Sequence, residues 1–238
     1  MNTHWPATLW IIRHGESAAN LSSQEAEASG NLTVTLLTRD MDTPLSVLGE
    51  AQATALGSWF ASQAERPDII LSSPYHRTRQ TLAAITAHWP ADAGPIIHFD
   101  ERLRERERGI FDGLTKAGVK THLPDEFDKR QFLGKFYHRA PGGESWCDVV
   151  QRLRSVVEYM RHHHGGKRVM IVAHEVVIYC LRYIIEAMDE AQILAIDAEH
   201  DLANCSVTQY VSQHVSQGET MQLVKWAEVP FELSRDST

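Results

Sequence analysis

Two histidines that each follow an apolar run are the residues best suited to chemistry in this sequence. The run at 9–12 ends in Arg13 and His14, and the run at 169–173 ends in His174. Each run has the length and β-branched character of a buried strand. Parallel strands in an open α/β sheet have their carboxyl ends at one edge, so we expect both imidazoles to face one crevice. The adjacent arginine makes an anion the expected ligand.

A second cationic feature lies at the predicted start of a helix. Residues 68–73 are typical of a short buried strand, and Pro74 is typical of the first position of the following helix. Arg77 and Arg79 then fall in the first turn, where free N–H groups and the helix dipole are already positive. An arginine is unfavourable there unless an anion lies opposite it. We therefore expect an anion at this helix start, with His76 and Arg79 facing solvent or the rim of the site.

Other charged and histidine-rich stretches favour ordinary surface roles. Residues 100–109 alternate in charge, which is typical of a solvated face. The three histidines at 162–164 are consecutive at the end of a helical pattern, so their side chains point in different directions. His174 is not part of an H-E-x-x-H pattern, because Ile178 stands at the last position. The sequence therefore predicts no metal site.

Composition limits the class of protein. The 238 residues carry a net charge of −8 and are 43% hydrophobic, which is enough for one large domain over 1–238 with a sizeable core. An acidic protein is a poor match for a nucleic acid or a membrane surface. The three cysteines, Cys147, Cys180 and Cys205, show neither a disulfide nor a zinc pattern. With no targeting pattern and no membrane-spanning run, we expect a cytoplasmic protein.

Helical patterns alternate with the predicted strands. Ser46 is a suitable N-cap for one helix, and Glu50 adds negative charge near its start. Residues 146–161 and 176–188 carry apolar side chains at helical spacing. This order predicts an α/β fold in which helices cover a sheet.

Two segments interrupt the alternation. Residues 30–42 are predicted to be an insertion or flap, in which the charges at 39–42 form a surface ion pair. Residues 114–140 are polar and are predicted to be a lid. The lid includes Arg130 and Lys135, which either face the non-transferring part of an anionic substrate or lie on a solvated helix.

Four motifs in order resemble those of the histidine phosphatase superfamily, which includes the cofactor-dependent phosphoglycerate mutases. They are Arg13-His14-Gly15-Glu16 followed by Asn20, the segment 72–81, Leu103-Arg104-Glu105, and His174. The resemblance implies a three-layer αβα sandwich with a mostly parallel central sheet, similar to that of phosphoglycerate mutase. It implies no metal and no other cofactor.

The resemblance also implies roles for individual residues. His14 would attack phosphorus and carry it as phosphohistidine. Glu105 would be the general acid, since a neighbouring phosphate raises the pKa of a carboxyl group, and Glu107 is the alternative. The candidate residues are His14, Glu105 and His174 for catalysis, Arg13, Arg77 and Asn20 for phosphate binding, and Lys135, Arg130, Glu175 and Asn204 for substrate specificity.

The segment 114–140 bears on which acceptor takes the phosphoryl group. Mutases of this family carry a tandem arginine and a proline-rich stretch there, whereas this chain has only Lys129-Arg130 and no proline cluster. That difference favours a phosphatase acting on a small anionic phosphate ester such as a sugar phosphate. The alternatives are a cofactor-dependent phosphoglycerate mutase and a non-catalytic sensor of phosphorylated ligands. A sensor would need cations but neither a nucleophile nor an acid.

Residues 113–115, 135–145 and 150–153 are similar to the bisphosphatase domain that acts on fructose 2,6-bisphosphate. That branch has Gln after the second histidine and Arg four positions later, where this chain has Glu175 and Tyr179. A second phosphate would therefore be less well held. No Walker A motif is present. The expected partners are a small phosphorylated substrate and, as a state left open, a second copy of the chain.

Overall fold

The computed structural model describes residues 4–35, 37–89, 94–199, 201–216 and 218–233. Strands and helices alternate through most of the chain, as expected. In order they are β1 (Thr8–Arg13), α1 (Ala18–Ala28), α2 (Val47–Ser62), β2 (Ile69–Ser72), α3 (His76–Thr86), β3 (Ile96–Phe99), α4 (Lys116–His122), α5 (Pro124–Tyr137), α6 (Trp146–His163), β4 (Arg168–Ala173), α7 (Glu175–Ile185), α8 (Glu190–Glu199), β5 (Val207–Val215) and β6 (Gly218–Glu228).

The strands form one six-stranded sheet with the order β3-β2-β4-β1-β5-β6. Strands β1 to β4 run parallel to one another, and β5 and β6 add an antiparallel edge, with β5 antiparallel to β1. Arg13 at the end of β1 lies opposite Ala173 at the end of β4. The residues that follow, His14 and His174, therefore emerge side by side at one edge of the sheet. The predicted mostly parallel sheet is confirmed.

Alternate residues of the central strands point to opposite faces, and each face is covered by helices. Leu9 and Ile11 pack with the apolar sides of α6 and α7, whereas Trp10 and Ile12 pack with α2 and α3. These side chains are at most 4% exposed, so the two layers bury the sheet completely at β1. The result is the predicted three-layer αβα sandwich.

Two helix ends differ from the sequence prediction. Helix α3 begins at His76 with Tyr75 as its N-cap, so Pro74 precedes the helix instead of opening it. Helix α7 begins directly after His174 and ends at Ile185, three residues before the predicted end. Ala187 adopts a φ of 51°, a conformation incompatible with continuing the helix.

The segments 30–42 and 114–140 lie against each other beside the sheet edge. Among its described residues the first contains a 3₁₀ turn at Asp40–Asp42, and the second contains α4 and α5. A β-bridge joins Thr33 to Leu114. None of the helices in the described part of the chain is both long and apolar enough to cross a bilayer.

Candidate active site

The structure brings His14, His174 and Arg77 together at the carboxyl edge of the sheet. The ring centroids of His14 and His174 are 5.1 Å apart. The Nε of Arg77 donates to Nε2 of His14 over 3.2 Å. All three side chains are buried, with residue exposures of 3%, 0% and 4% for His14, His174 and Arg77. Two imidazoles distant in sequence therefore share one site with the arginine of α3.

The hydrogen bonds of His14 define its tautomer. Its Nδ1 lies 2.7 Å from the carbonyl oxygen of Gly15, which can only accept, so Nδ1 carries the proton. Nε2 consequently presents a lone pair toward Arg77. Burial, and then the charges of Arg77 and Arg13, hold the pKa of His14 well below its ordinary value. The ring is neutral near pH 7, as a nitrogen nucleophile requires.

His174 is held by residues from the β2–α3 connection. Its Nε2 lies 2.8 Å from Oγ of Ser73, and its ring is 5.1 Å from that of Tyr75. Its Nδ1 is buried and has no hydrogen-bond partner among the described residues. Burial first, and then the charge of Arg77, lower the pKa of His174 well below its ordinary value. A buried ring nitrogen without a partner is suited to meet a ligand oxygen.

Arg13 reaches the same edge but is already paired. One Nη donates to the carbonyl of Leu202, and the other lies 3.3 Å from a carboxylate oxygen of Glu175. Its Nε is buried without a partner in the described part of the chain. Glu175, named from sequence for specificity, therefore pairs with the cation that precedes His14.

The loop after His14 needs glycine at position 15 because the backbone of another segment lies close to it, and not because of a positive φ. Gly15 does not have a positive φ. A Cβ there would instead lie 2.5 Å from the carbonyl oxygen of Gly49 in α2, and a Cβ on Gly49 would lie 1.9 Å from the carbonyl oxygen of Glu16. The amide of Gly15 also donates to Oγ1 of Thr81. Direct backbone packing against α2 thus fixes the position of His14.

Glu105 faces the cleft from the loop after β3. It is half-buried, and one of its oxygens accepts from the amide of Arg106 over 2.8 Å. Burial is the main cause of its raised pKa, and the negative charge of Glu175 adds to it. Glu107, the alternative acid, is exposed and lies 3.4 Å from the hydroxyl of Tyr75. Because burial raises the pKa of Glu105, this carboxyl group is better suited than Glu107 to donate a proton.

The two asparagines have supporting positions. The carbonyl oxygen of Asn20 accepts from the amide and hydroxyl of Ser17, forming a capping box at the start of α1. Asn20 also lines the cleft. Asn204 donates to the carbonyl oxygen of His14 over 3.0 Å, so it holds the backbone of His14.

Lys135 and Arg130 do not line the cleft. They line a separate cavity of about 330 Å³ between α4 and α5. Lys135 forms an ion pair with Asp197 and lies 4.8 Å above the ring of Trp146. Lys135 therefore has a structural partner, whereas Arg130 forms no ion pair with the described carboxylates.

The main cleft has a volume of about 250 Å³ and contains charges of both signs. No group of three or more His, Cys, Asp or Glu side chains in the described ranges is arranged to hold a metal ion. The charged residues that line the cleft are Arg13, Asp40, Arg77, Glu105, Arg106, Glu107, Arg108, Asp112 and Glu175.

Comparison with known protein families agrees with this geometry. The model of the histidine phosphatase superfamily, branch 1, matches residues 9–227. The chain belongs to the histidine phosphatase superfamily. Within it, the bullfrog (Aquarana catesbeiana) 6-phosphofructo-2-kinase/fructose-2,6-bisphosphatase is 32% identical over 183 residues, which are 76% of this chain. The chain spans about a third of the length of that relative, since the match covers 33% of it.

Solved structures of this histidine phosphatase fold match nearly the whole chain. A structure described as mycobacterial hydrolase 1 has a TM-score of 0.72 and 26% identity, and the match covers 93% of this chain and 98% of that one. A mycobacterial glucosyl-3-phosphoglycerate phosphatase in complex with VO₃ has a TM-score of 0.69 and 26% identity, covering 92% and 98%. The phosphoglycerate mutase-like α/β architecture is therefore confirmed.

Sequence reasoning did not identify several residues of this histidine phosphatase site. Ser73 supports His174, although its place between a strand and a helix start gave no sign of that contact. Asp40 was assigned only to a surface ion pair, yet it contacts Arg77. Arg106 and Arg108 were assigned to a solvated face, yet both line the cleft. These contacts join segments distant in the chain, so local patterns did not indicate them.

Proposed function

We propose that this chain is a phosphomonoester hydrolase that works without a metal, through a phosphohistidine intermediate on His14. The main support is the neutral imidazole of His14, whose Nε2 lone pair faces Arg77 at the base of the cleft. The family match and the phosphatase relatives agree with this reaction. The proposed substrate is a small anionic phosphate ester, such as a sugar phosphate.

In the first step, Nε2 of His14 gives up the hydrogen bond that it accepts from Arg77, its lone pair attacks phosphorus, and the P–O bond to the leaving group breaks. Arg13, Arg77 and His174 stabilise the charge on the phosphoryl oxygens, which is the main demand of phosphoryl transfer. Glu105 gives its proton to the leaving oxygen. The products are the alcohol and a phosphohistidine, and Glu105 is left ionised.

In the second step, water attacks the phosphohistidine in line with the P–N bond. Ionised Glu105 takes a proton from this water, and the P–N bond breaks to restore the neutral imidazole. Orthophosphate leaves, and Glu105 is protonated for the next cycle. One carboxyl group thus acts as acid and then as base.

Hydrolysis of p-nitrophenyl phosphate and a sugar-phosphate panel in excess chelator tests this proposal. We expect turnover without added metal, and a labelled phosphoenzyme that water clears within each cycle. Slow clearance with transfer of label to phosphoglycerate would instead identify a mutase. Tight binding without turnover would identify a sensor.

Three arginines support a substrate with a second anionic group. Arg106, Arg108 and Arg130 form no ion pair with the described carboxylates, whereas Arg13 and Arg77 do. Arg106 and Arg108 donate instead to the carbonyl oxygens of Glu144 and Leu114. Arg130 borders the neighbouring cavity and not the cleft itself. Burial first, and then the charge of Arg108, lower the pKa of Arg130, whereas the charge of Asp197 raises it, so Arg108 and Arg130 are close enough to repel each other. An anion between them would relieve that repulsion.

Replacement of Arg108 by methionine tests this second subsite. We expect KM for a sugar bisphosphate to rise about tenfold, the effect of losing one charge-assisted hydrogen bond. KM for p-nitrophenyl phosphate, which has no second anion, should stay within about twofold of the parent value. Arg154→Met, on the exposed side of α6, is the matched control. Equal increases for both substrates would place Arg108 at the transferred phosphate and contradict the assignment.

Fructose 2,6-bisphosphate and glucosyl-3-phosphoglycerate belong in the substrate panel because related proteins bear those names. Glu175 weakens the case for the first, since its carboxylate lies at the cleft where the bisphosphatase branch has a glutamine. A cytoplasmic location and a homodimer stay predictions.

A further inference from the structure

The guanidinium group of Arg77 is occupied by a carboxylate from the segment 30–42. Its Nη1 lies 2.6 Å from the backbone oxygen of Asp40 and 3.0 Å from Oδ1 of that residue. Its Nη2 donates to Oδ2 over 3.2 Å, while Nε is bonded to His14. Both terminal nitrogens, the donors with which an arginine grips a phosphate, therefore point at Asp40.

We propose that Asp40 occupies the phosphoryl subsite between turnovers and that the substrate phosphate must displace its carboxylate from Arg77. The proposal deepens the proposed function, on which it rests for the role of Arg77. Asp40 thereby sets the affinity of the cleft for phosphate. It also favours release of orthophosphate, because the carboxylate returns to the arginine as the product leaves.

The two partners of this ion pair differ in freedom. The side chain of Arg77 is 5% exposed and is fixed between His14 and the helix, whereas that of Asp40 is 42% exposed. Asp40 lies on a single 3₁₀ turn, and its N-cap residue Arg39 makes no capping hydrogen bond. A solvent-exposed carboxylate on a short turn can exchange its arginine for water at low cost. Asp40 is therefore the partner that moves.

Charge explains why displacement is needed. A carboxylate and a phosphate dianion on the same guanidinium would repel each other at close range. Asp40 lines the cleft together with His14 and Arg77, so the substrate phosphate enters the space that the carboxylate borders. Exchange of one anion for the other keeps Arg77 paired throughout the cycle.

Asp40→Asn tests the proposal, because asparagine keeps the shape but loses the charge. We expect the Kd of orthophosphate and of vanadate, measured by calorimetry, to fall about tenfold, as expected for losing a charged competitor. KM should fall with it, whereas kcat should stay level or fall as product leaves more slowly. Asp42→Asn is the matched control, since Asp42 lies in the same turn but pairs with exposed Arg39.

The calorimetric measurement needs no turnover, so it distinguishes this proposal from the proposed reaction. Suppose that Asp40→Asn binds phosphate more tightly but the protein hydrolyses no ester. That result would support competition by Asp40 and would contradict only the proposed hydrolysis. Unchanged or weaker phosphate binding would overturn the proposal that Asp40 competes with phosphate, because Asp40 would then be holding Arg77 in place for the ligand. Asp40→Glu restores the charge and should restore weak binding, and circular dichroism should show the same fold for all variants.

Discussion

Replacing His14 with alanine should lower kcat for every phosphate ester by at least about 10⁴-fold, because the variant has no nitrogen to form the covalent intermediate. The neutral Nε2 has no substitute in the site. His174 is the other imidazole of the site, and its unpartnered nitrogen, Nδ1, is assigned in the proposed mechanism to a phosphoryl oxygen and not to attack on phosphorus. Steady-state rates with p-nitrophenyl phosphate and with a sugar phosphate measure the effect.

The same variant should lose the labelled phosphoenzyme formed during turnover. His162→Ala is the control, because His162 is exposed on the last turn of α6 and bonds only a backbone carbonyl of its own helix. It should keep the activity and label of the parent. Label retained by His14→Ala would show that another residue carries the phosphoryl group, and the proposed mechanism would then be wrong.

Replacing Glu105 with glutamine should produce the next largest loss, about 10²- to 10³-fold in kcat for an alkyl phosphate, because the leaving oxygen no longer receives a proton. The loss should be much smaller for p-nitrophenyl phosphate, whose leaving group is stable without a proton. The ratio of the two losses therefore measures acid catalysis separately from binding.

The pH profile gives a second test of Glu105. Burial raises its pKa, so the protonated form that donates persists to higher pH than for an exposed glutamate. With an alkyl phosphate, the parent rate should fall as pH rises through this pKa, and that limb should be absent in Glu105→Gln. Glu107→Gln should retain the limb. Loss of the limb in Glu107→Gln alone would make Glu107 the acid.

Much of the scaffold could be predicted because it depends on local patterns. The apolar runs before His14 and His174 have the length of buried strands, and both form strands, paired in parallel so that their carboxyl ends lie at one edge of the sheet. Ser46 caps α2 by accepting from the amide of Gly49, as its place before a helical pattern indicated. The start of α3 was displaced because Tyr75 takes the extended N-cap conformation after Pro74.

The electrostatics of the cleft could not be predicted in the same way. Asp40 and Arg77 are separated by α2, β2 and their connections, and the i,i+3 pair of Arg39 with Asp42 was the local explanation for the charges at 39–42. Arg108 looked like one charge among many in an alternating run. Pairing between distant segments depends on tertiary packing, such as the bridge between Thr33 and Leu114, which no periodic pattern encodes.

The backbone contact between Gly15 and Gly49 prevents substitution on one wall of the cleft, whereas the sequence of the other wall can vary. On the side of His14, backbone meets backbone with no room for a methyl group at either glycine. Any new side chain there would shift the reacting nitrogen itself. Adaptation to a different phosphate ester is therefore expected from side chains of 30–42 and of the loop 106–113 that do not contact Arg77, since these can change without moving His14.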